Sequence, residues 1–406
     1  MKPEYRERDV PVFLATRFLA DVAALVQSVA VGWQVYAIAR TPLALGLVGL
    51  VQFVPMFLLT LPAGEIADRF SARRVLAASL LLEVVCSALL LGLTFAHGRG
   101  VAPFYAVLLL FGCARAFSAP SRQSLLPFLV SRERLPQTIA WNSSVAAIAV
   151  IGGPAIGGFV YALAPAAAYA ICCAGFLAAA LGTALLRGRA RPPHDSALPG
   201  PVERVKEGIR FVRARPVVLG AISLDLFAVL LGGATALLPV FARDILKVGP
   251  IGLGVLRSAP AAGAFAMALL IARHPVRRNT GRMMFGSVAV FGLATMLFGL
   301  SKQFYVSLAA LAVLGASDQI SVYIRSNLVQ LATPDVMRGR VSAVNMLFIG
   351  ASNELGGFES GVTAALFGTV PAVVLGGAGT LLVAAIWMKL FPSLRDVDRL
   401  AEVEPA

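Results

Sequence analysis

Apolar runs of about 20 residues or more alternate along the chain with short polar breaks, and few polar residues interrupt the runs themselves. In hydrocarbon every backbone N–H and C=O must be satisfied internally, so runs of this length read as spanning helices. The pattern predicts twelve, near 11–39, 43–63, 75–96, 102–121, 137–162, 166–186, 216–242, 251–272, 282–301, 304–324, 340–367 and 370–391. They divide six and six. Residues 1–187 are expected to form a first six-helix bundle, 188–215 a linker, 216–391 a second bundle and 392–406 a tail. The linker is rich in proline and arginine and carries a short amphipathic stretch, Val202–Val212, expected to lie on the membrane surface. The predicted class is an all-α membrane protein: twelve transmembrane helices in two pseudo-symmetric six-helix bundles.

Composition removes the alternatives. Of 406 residues 58% are hydrophobic and 14% charged, against about 25% charged in soluble domains. A net charge of +14 would suggest nucleic acid in a soluble protein, but the basic residues sit on alternate breaks. The termini, the linker and the even-numbered loops hold most of them, including Arg69, Arg73, Arg74, Arg122, Arg132, Arg134, Arg273, Arg277, Arg278, Arg282, Arg325, Arg338 and Arg340. The odd loops hold only Arg40, Arg99, Arg243, Lys247 and Lys302. The positive-inside rule therefore places both termini and the linker in the cytoplasm, and the charge becomes a topology signal with no nucleic-acid partner. Asp21 interrupts the first apolar run, which is long enough to span, so no cleavable signal peptide is expected. Cys86, Cys113, Cys172 and Cys173 lie in predicted helices and the three histidines in loops, so neither a disulfide framework nor a metal site is expected. No phosphate-binding Gly-x-x-x-x-Gly-Lys loop is present, so no nucleotide cofactor is expected. Nor does any clustered nucleophile and base suggest an enzyme.

Sliding the chain by 203 residues aligns Ser118 with Ser321, Arg122 with Arg325, Asn142 with Asn345, Gly153 with Gly356 and Gly158 with Gly361. Two homologous halves with an even number of spans are parallel repeats, which places a site near the bilayer midplane at their interface.

The loop after the second span, Gly64-Glu-Ile-Ala-Asp68-Arg69-Phe-Ser-Ala-Arg73-Arg74, resembles the Gly-x-x-x-Asp-Arg-x-Gly-Arg-Arg signature of the major facilitator superfamily, with Ser71 for Gly and Ala72 for the first Arg. It reads as a conformational latch: Gly64 permits close helix approach, Asp68 caps or pairs at a facing helix N-terminus, and Arg69 and Arg73 hold acidic partners, with Arg122 and Arg325 in comparable positions. Gly152-Gly153-Pro154-Ala-Ile-Gly157-Gly158 is similar to the Gly-Pro-x-x-Gly-Gly motif of the antiporter branches, although the residues alone describe only a close-packed, kinked helix. With Gly32-Trp-Gln-Val-Tyr36, Pro120-Ser-Arg122-Gln-Ser-Leu-Leu-Pro127 and Arg338-Gly-Arg-Val-Ser-Ala-Val-Asn345, the chain resembles the bacterial enterobactin-exporter and macrolide-efflux subfamily over nearly its whole length. The resemblance implies the major facilitator fold, a bacterial inner membrane and spans one, four, seven and ten lining the cavity.

Ionisable groups at membrane depth are functional candidates by default. Arg17, Asp21 and Ser28 share a face of the first span, and Asp21 is either paired within the helix to Arg17 or a titrating carboxylate. Arg115, Ser118 and Arg122 in the fourth span map onto Asp318, Ser321 and Arg325 in the tenth, so the scaffold is kept while the charge at the deep position reverses. Arg115 and Asp318 either face one another across the pathway or each bind a neighbouring helix of their own half. Asp225 corresponds roughly to Asp21, and Asn345, Ser352 and Glu359 form a polar stripe with Glu354 on another face. The proton-coupling candidates are thus Asp21, Asp225, Asp318, Glu359 and Glu354. The cavity candidates are Arg115, Arg17, Ser28, Ser118, Ser321, Asn345 and Ser352, with Trp33, Gln34 and Tyr323 as cargo or packing residues. Glu83, on a span the resemblance makes peripheral, reads as structural, and Arg257 as either snorkelling or binding a gate acid. The expected activity is proton-coupled antiport that exports a small organic molecule such as a drug or siderophore. The chain is expected to work as a monomer with protons and membrane lipid as its other partners and no cofactor. An uptake permease or lysolipid flippase would share every packing motif.

Overall fold

The computed structural model describes residues 8–96, 100–131, 133–186, 201–276 and 278–399. Among these, every regular element is helical: α1 (Asp9–Ala39), α2 (Pro42–Arg69), α3 (Ala72–Phe95), α4 (Ala102–Leu125), α5 (Leu135–Leu163), α6 (Pro165–Leu185), α7 (Pro201–Ala214) and α8 (Pro216–Leu231), followed by the single turn α9 (Leu238–Val240). The chain continues through α10 (Gly249–Arg273), α11 (Thr280–Leu300), α12 (Phe304–Leu331), α13 (Asp335–Phe367), α14 (Thr369–Leu390) and the short α15 (Pro392–Arg395). Proline opens several of them, where its missing N–H costs nothing and its fixed φ suits the first turn. Arg40 ends α1 in the left-handed conformation, φ 55°, and its N–H closes on the Tyr36 carbonyl at 3.0 Å.

Among the described residues eleven helical segments are long and apolar enough to cross a membrane. The twelfth expected span, α13, has 33 residues and ample length, but Asn345, Asn353, Glu354 and Glu359 lower its hydropathy. The seventh span is broken. Its α-helix stops at Gly232, passes through a 3-10 turn at Ala234–Leu237 and α9, and finishes in a π-helical turn at Phe241–Ile245. The break lies at a close approach: a Cβ on Gly233 would meet the Gly356 carbonyl and the Ser360 hydroxyl of α13. Helical structure also extends beyond two predicted ends, so that Arg122 and Arg325, counted above with the loops, lie inside α4 and α12.

The chain resolves into two compact units. One comprises Met1–Arg40, Val51–Leu198 and Gly249–Ser258, the other Thr41–Leu50, Pro199–Val248 and Ala259–Ala406. Each therefore takes in the first turns of one helix, α10 or α2, whose remainder belongs to the other.

The packing repeats within each unit. In the first, α3 lies against α4 and α6, and α1 against α5 and α6. In the second, α11 lies against α12 and α14, and α8 against α13 and α14. The close approaches repeat as well. Gly112 of α4 presses on α2 at Gln52 and Pro55, and its 203-residue mate Gly315 of α12 presses on α10 at Pro260. In both cases a proline-bearing helix is met by a residue with no side chain, the small-residue contact by which membrane helices approach one another.

The linker helix α7 belongs to the second unit and packs on α13 and α8. Its Val205, Ile209 and Val212 join a core with Val218, Val341 and Val344, while Glu207 pairs with Arg340 at 2.7 Å. Lys206, Arg210 and Arg213 occupy its exposed face. Residues 397–398 cap the start of α11: the N–H groups of Thr280 and Gly281 donate to the carbonyls of Asp398 and Val397, and the N–H of Asn279 to Asp398 Oδ1 at 2.8 Å. These close donors that a helix N-terminus otherwise leaves open. In the same segment Arg395 donates to Asp396 and holds its carboxyl below the usual carboxylate range.

Candidate functional site

Each unit buries one arginine–aspartate pair. In the first, Arg122 Nη1 of α4 donates to Asp21 Oδ1 of α1 at 2.5 Å, and Arg17 Nε, one turn before Asp21, donates to its other oxygen at 3.2 Å. In the second, Arg325 Nη1 of α12 donates to Asp225 Oδ2 of α8 at 2.5 Å. Arg122 and Arg325 are 203 apart and the aspartates 204, so the two pairs are repeat mates. Arg122 and Arg325, expected to act as latches, are thus each engaged with an aspartate of their own half. Removing two ions from water is repaid only when geometry and further hydrogen bonds are good, and a two-oxygen carboxylate held by two guanidiniums meets that condition.

Their surroundings differ. The side chains of the first pair are 19% and 22% exposed, those of the second 4% and 7%. The first opens on a cavity of ≈ 330 Å³ lined by Arg17, Asp21, Glu83, Arg115, Ser118, Arg122, Gln123 and Asn142 with a few apolar neighbours. That volume is at the lower end for small-molecule sites and suits a headgroup. The second adjoins a space of only ≈ 10 Å³, about one water, lined by Asp225, Ser287, Ser317, Asp318 and Ser321. Three arginines meet two acids in the first cluster. In the second, two acids meet one arginine, with Asp318 in electrostatic reach of both Asp225 and Arg325. The Ser321 hydroxyl and the Nε of Arg325 are buried without a hydrogen-bond partner.

Glu83, read from the sequence as structural, lies among the groups of the first cluster. It is 3% exposed on α3 and lines the same cavity as Asp21, Arg115, Ser118 and Arg122. A glutamate four residues into the apolar run Ser79-Leu-Leu-Leu-Glu83-Val-Val was the available signal, and the intramembrane-charge rule applies to it as to the others.

The remaining candidates disperse. Ser28 accepts from Arg257 of α10 at 2.8 Å through its hydroxyl and at 3.2 Å through its carbonyl. Gln34 is tied to Thr94 at 3.1 Å and to the Tyr169 hydroxyl at 2.7 Å, a bridge between α1, α3 and α6 that gives it a packing role. Trp33 is half-buried on α1, and Tyr323 packs beside the core around Phe285 and Leu328. Ser352 is buried and donates to its own helix at Ile349, while Asn345 Oδ1 is buried without a partner. Glu359 accepts from Thr363 at 2.7 Å, within its own helix; Glu354 lies by Gly49 of α2.

The latch needs two corrections. Among the described residues nothing lies within 4 Å of a Cβ placed on Gly64, so it makes no close approach to any described helix. Arg73 donates to the Leu186 carbonyl rather than to an acid, because the open carbonyls at the end of α6 attract a cation. The side chains of Asp68 and Arg69 lie outside the described residues. In the glycine-proline motif, Gly153 and Gly157 pack α5 on Leu25 and Val26 of α1. Gly158 meets Gly254 of α10, where an added Cβ would lie 3.0 Å from its Cα.

A family model described as transmembrane secretion effector matches residues 8–405. The chain belongs to this family of major facilitator transporters. Its curated relatives include the enterobactin exporter EntS of Shigella dysenteriae, 26% identical over 389 residues covering 95% of this chain and 92% of the relative. EntS of Escherichia coli O1:K1 is 27% identical over 391 residues with the same coverage. Solved structures of the same fold include the nucleoside transporter NupG, with a TM-score of 0.72 at 14% identity over 94% of this chain and 99% of that one. A bacterial homologue of the human lysosomal transporter Spinster gives 0.74 at 12% identity over 96% and 97%. The protein is therefore a multi-pass membrane transporter of small molecules and not an enzyme.

Proposed function

We propose that this transporter resides in a bacterial inner membrane with both termini cytoplasmic and exports a small organic compound bearing an acidic group, a siderophore or a drug, in exchange for protons. The observation that carries the reading is the reversal of charge between repeat mates 115 and 318 beside otherwise matching ion pairs. The first cluster has cationic excess and room for a ligand headgroup. Arg115 and Arg17 would receive the acidic group there, by charge-assisted hydrogen bonds stronger than neutral ones. The second cluster has acidic excess and room for water alone, and Asp318 beside the Asp225–Arg325 pair would take and release the proton. The chain itself supplies every group this cycle needs, and the proton gradient drives it without a cofactor. Likeness to enterobactin exporters over 95% of the chain supports the outward direction and makes enterobactin the first compound to try.

In everted membrane vesicles, labelled enterobactin should accumulate when the lumen is acidic and fail to accumulate once a protonophore is added. Accumulation that persists with the gradient collapsed would overturn the coupling, and flux only in the opposite direction would overturn export.

A further inference from the structure

We infer that the second cluster is a binding site for a small monovalent cation, and that a sodium ion takes the place beside Asp318 in competition with the proton. The inference rests on the reading of Asp318 as the group that carries the proton and adds a second ion that the same site holds.

The donor set comes first. Asp225 of α8, Ser287 of α11, and Ser317, Asp318 and Ser321 of α12 line the ≈ 10 Å³ space, and its other neighbours are apolar. The polar groups are thus carboxylate and hydroxyl oxygens from three helices, the hard donors that alkali and alkaline-earth cations prefer. Ser287 and Ser317 spend their hydrogens on carbonyls of their own helices, Met284 and Leu314, both at 2.8 Å. What remains on those oxygens is lone pairs, which can coordinate a cation. Ser321 is 3% exposed, and among the described residues its hydroxyl has no hydrogen-bond partner. A buried hydroxyl left unpaired is costly, and coordination of an ion through its oxygen relieves that cost.

Charge selects the valence. Arg325 is committed to Asp225 at 2.5 Å. Asp318 has both in electrostatic reach, but its carboxyl forms no hydrogen bond or ion pair among the described residues. Two carboxylates against one guanidinium leave a negative excess at membrane depth, where uncompensated charge is costly. A monovalent cation cancels it. A calcium ion would turn the cluster positive, and magnesium keeps several of its waters, for which a space of about one water has no room. A bare sodium ion is smaller than a water molecule and fits. The helices packed on α12 bring no further charge to the space: α11 carries only Arg282, in its first turn, and neither Arg257 nor Arg273 of α10 lines it, although α10 meets α12 at Pro260 and Gly263.

A proton alone does not call for this arrangement, since protonating Asp318 needs a carboxylate and access to water and not a set of hydroxyl oxygens. The repeat makes the same distinction. The mates of Ser287, Ser317 and Asp318 in the first half are Val84, Ala114 and Arg115, so these oxygen donors belong to the second half only.

Equilibrium dialysis of radiolabelled sodium against the purified full chain, in a buffer whose only other cation is the bulky N-methylglucamine, counts the ions bound. The wild type should bind a single sodium ion, with affinity falling up to about tenfold per pH unit below the Asp318 titration as the proton displaces it. Asp318→Asn should bind none. Ser321→Ala should bind at least about tenfold more weakly, and Ser321→Thr, which keeps the hydroxyl, should restore much of the affinity, as a mere packing role for Ser321 would not. Sodium binding undiminished in Asp318→Asn, or indifferent to pH in the wild type, would overturn the site. No binding by the wild type at alkaline pH would overturn it as well and leave the proton-carrying role of Asp318 standing, because proton-driven accumulation measured without sodium tests that role separately.

Discussion

The first cluster, around Asp21 and Arg122, is half open to a cavity, whereas the second, around Asp225 and Arg325, is sealed to 4% and 7% exposure. The pairing geometry is shared, since both join a guanidinium to a carboxylate at 2.5 Å from repeat-related positions. What differs is the spare charge: Arg17, Arg115 and Glu83 in one half, Asp318 alone in the other. A common ion pair recurs in each half, and the halves differ in the groups around it.

The largest effects should come from breaking the pairs. Removing one partner of a buried ion pair costs about 3–5 kcal/mol, so Arg325→Ala or Asp225→Asn should sharply lower thermal stability in detergent. Arg122→Ala should cost less, because its pair is more exposed and Asp21 keeps Arg17. Combining Asp225→Asn with Arg325→Gln should recover much of the loss, as a double-mutant cycle would report. Equal losses in the two halves would remove the distinction between a sealed and an open cluster.

Next come substitutions of the spare charges. Arg115→Ala should lower transport at least about tenfold, a loss of about 1.4 kcal/mol in cargo binding, with little change in melting temperature. Undiminished transport with unchanged pH dependence would sink its assignment to the cargo. Gly158→Leu should reduce activity by forcing α5 away from Gly254 of α10, and Gly361→Leu should do the same where α13 meets Gly46 of α2. The comparison between halves is sharpened if those two effects match. The smallest effect is at the tail: Asp398→Ala removes the carboxylate that accepts from the Asn279 N–H and should cost about 1 kcal/mol, as loss of a cap does.

Much of this was legible in the residues. Apolar runs predicted the helical membrane fold, and the 203-residue offset named Arg122 with Arg325 and Arg115 with Asp318. Pairing was harder, because it depends on how α1 is rotated towards α4, a long-range property that helical periodicity does not encode. The joint recurrence of an aspartate at 204 and an arginine at 203 was the available clue. Glu83 was read as structural because the resemblance makes its span peripheral, whereas it lines the cavity with Arg115 and Arg122. The break at Gly232 and Gly233 coincides with the approach of α13, a long-range contact that helical periodicity does not encode. The loop motif did not reveal that Arg73 would find the end of α6.

The division of labour between the halves is tested most directly by Asp318→Asn in proteoliposomes, measuring exchange of labelled for unlabelled cargo at equal pH and then accumulation driven by a proton gradient. If Asp318 carries the proton, exchange persists while gradient-driven accumulation is lost. Accumulation at the wild-type level in Asp318→Asn would contradict it.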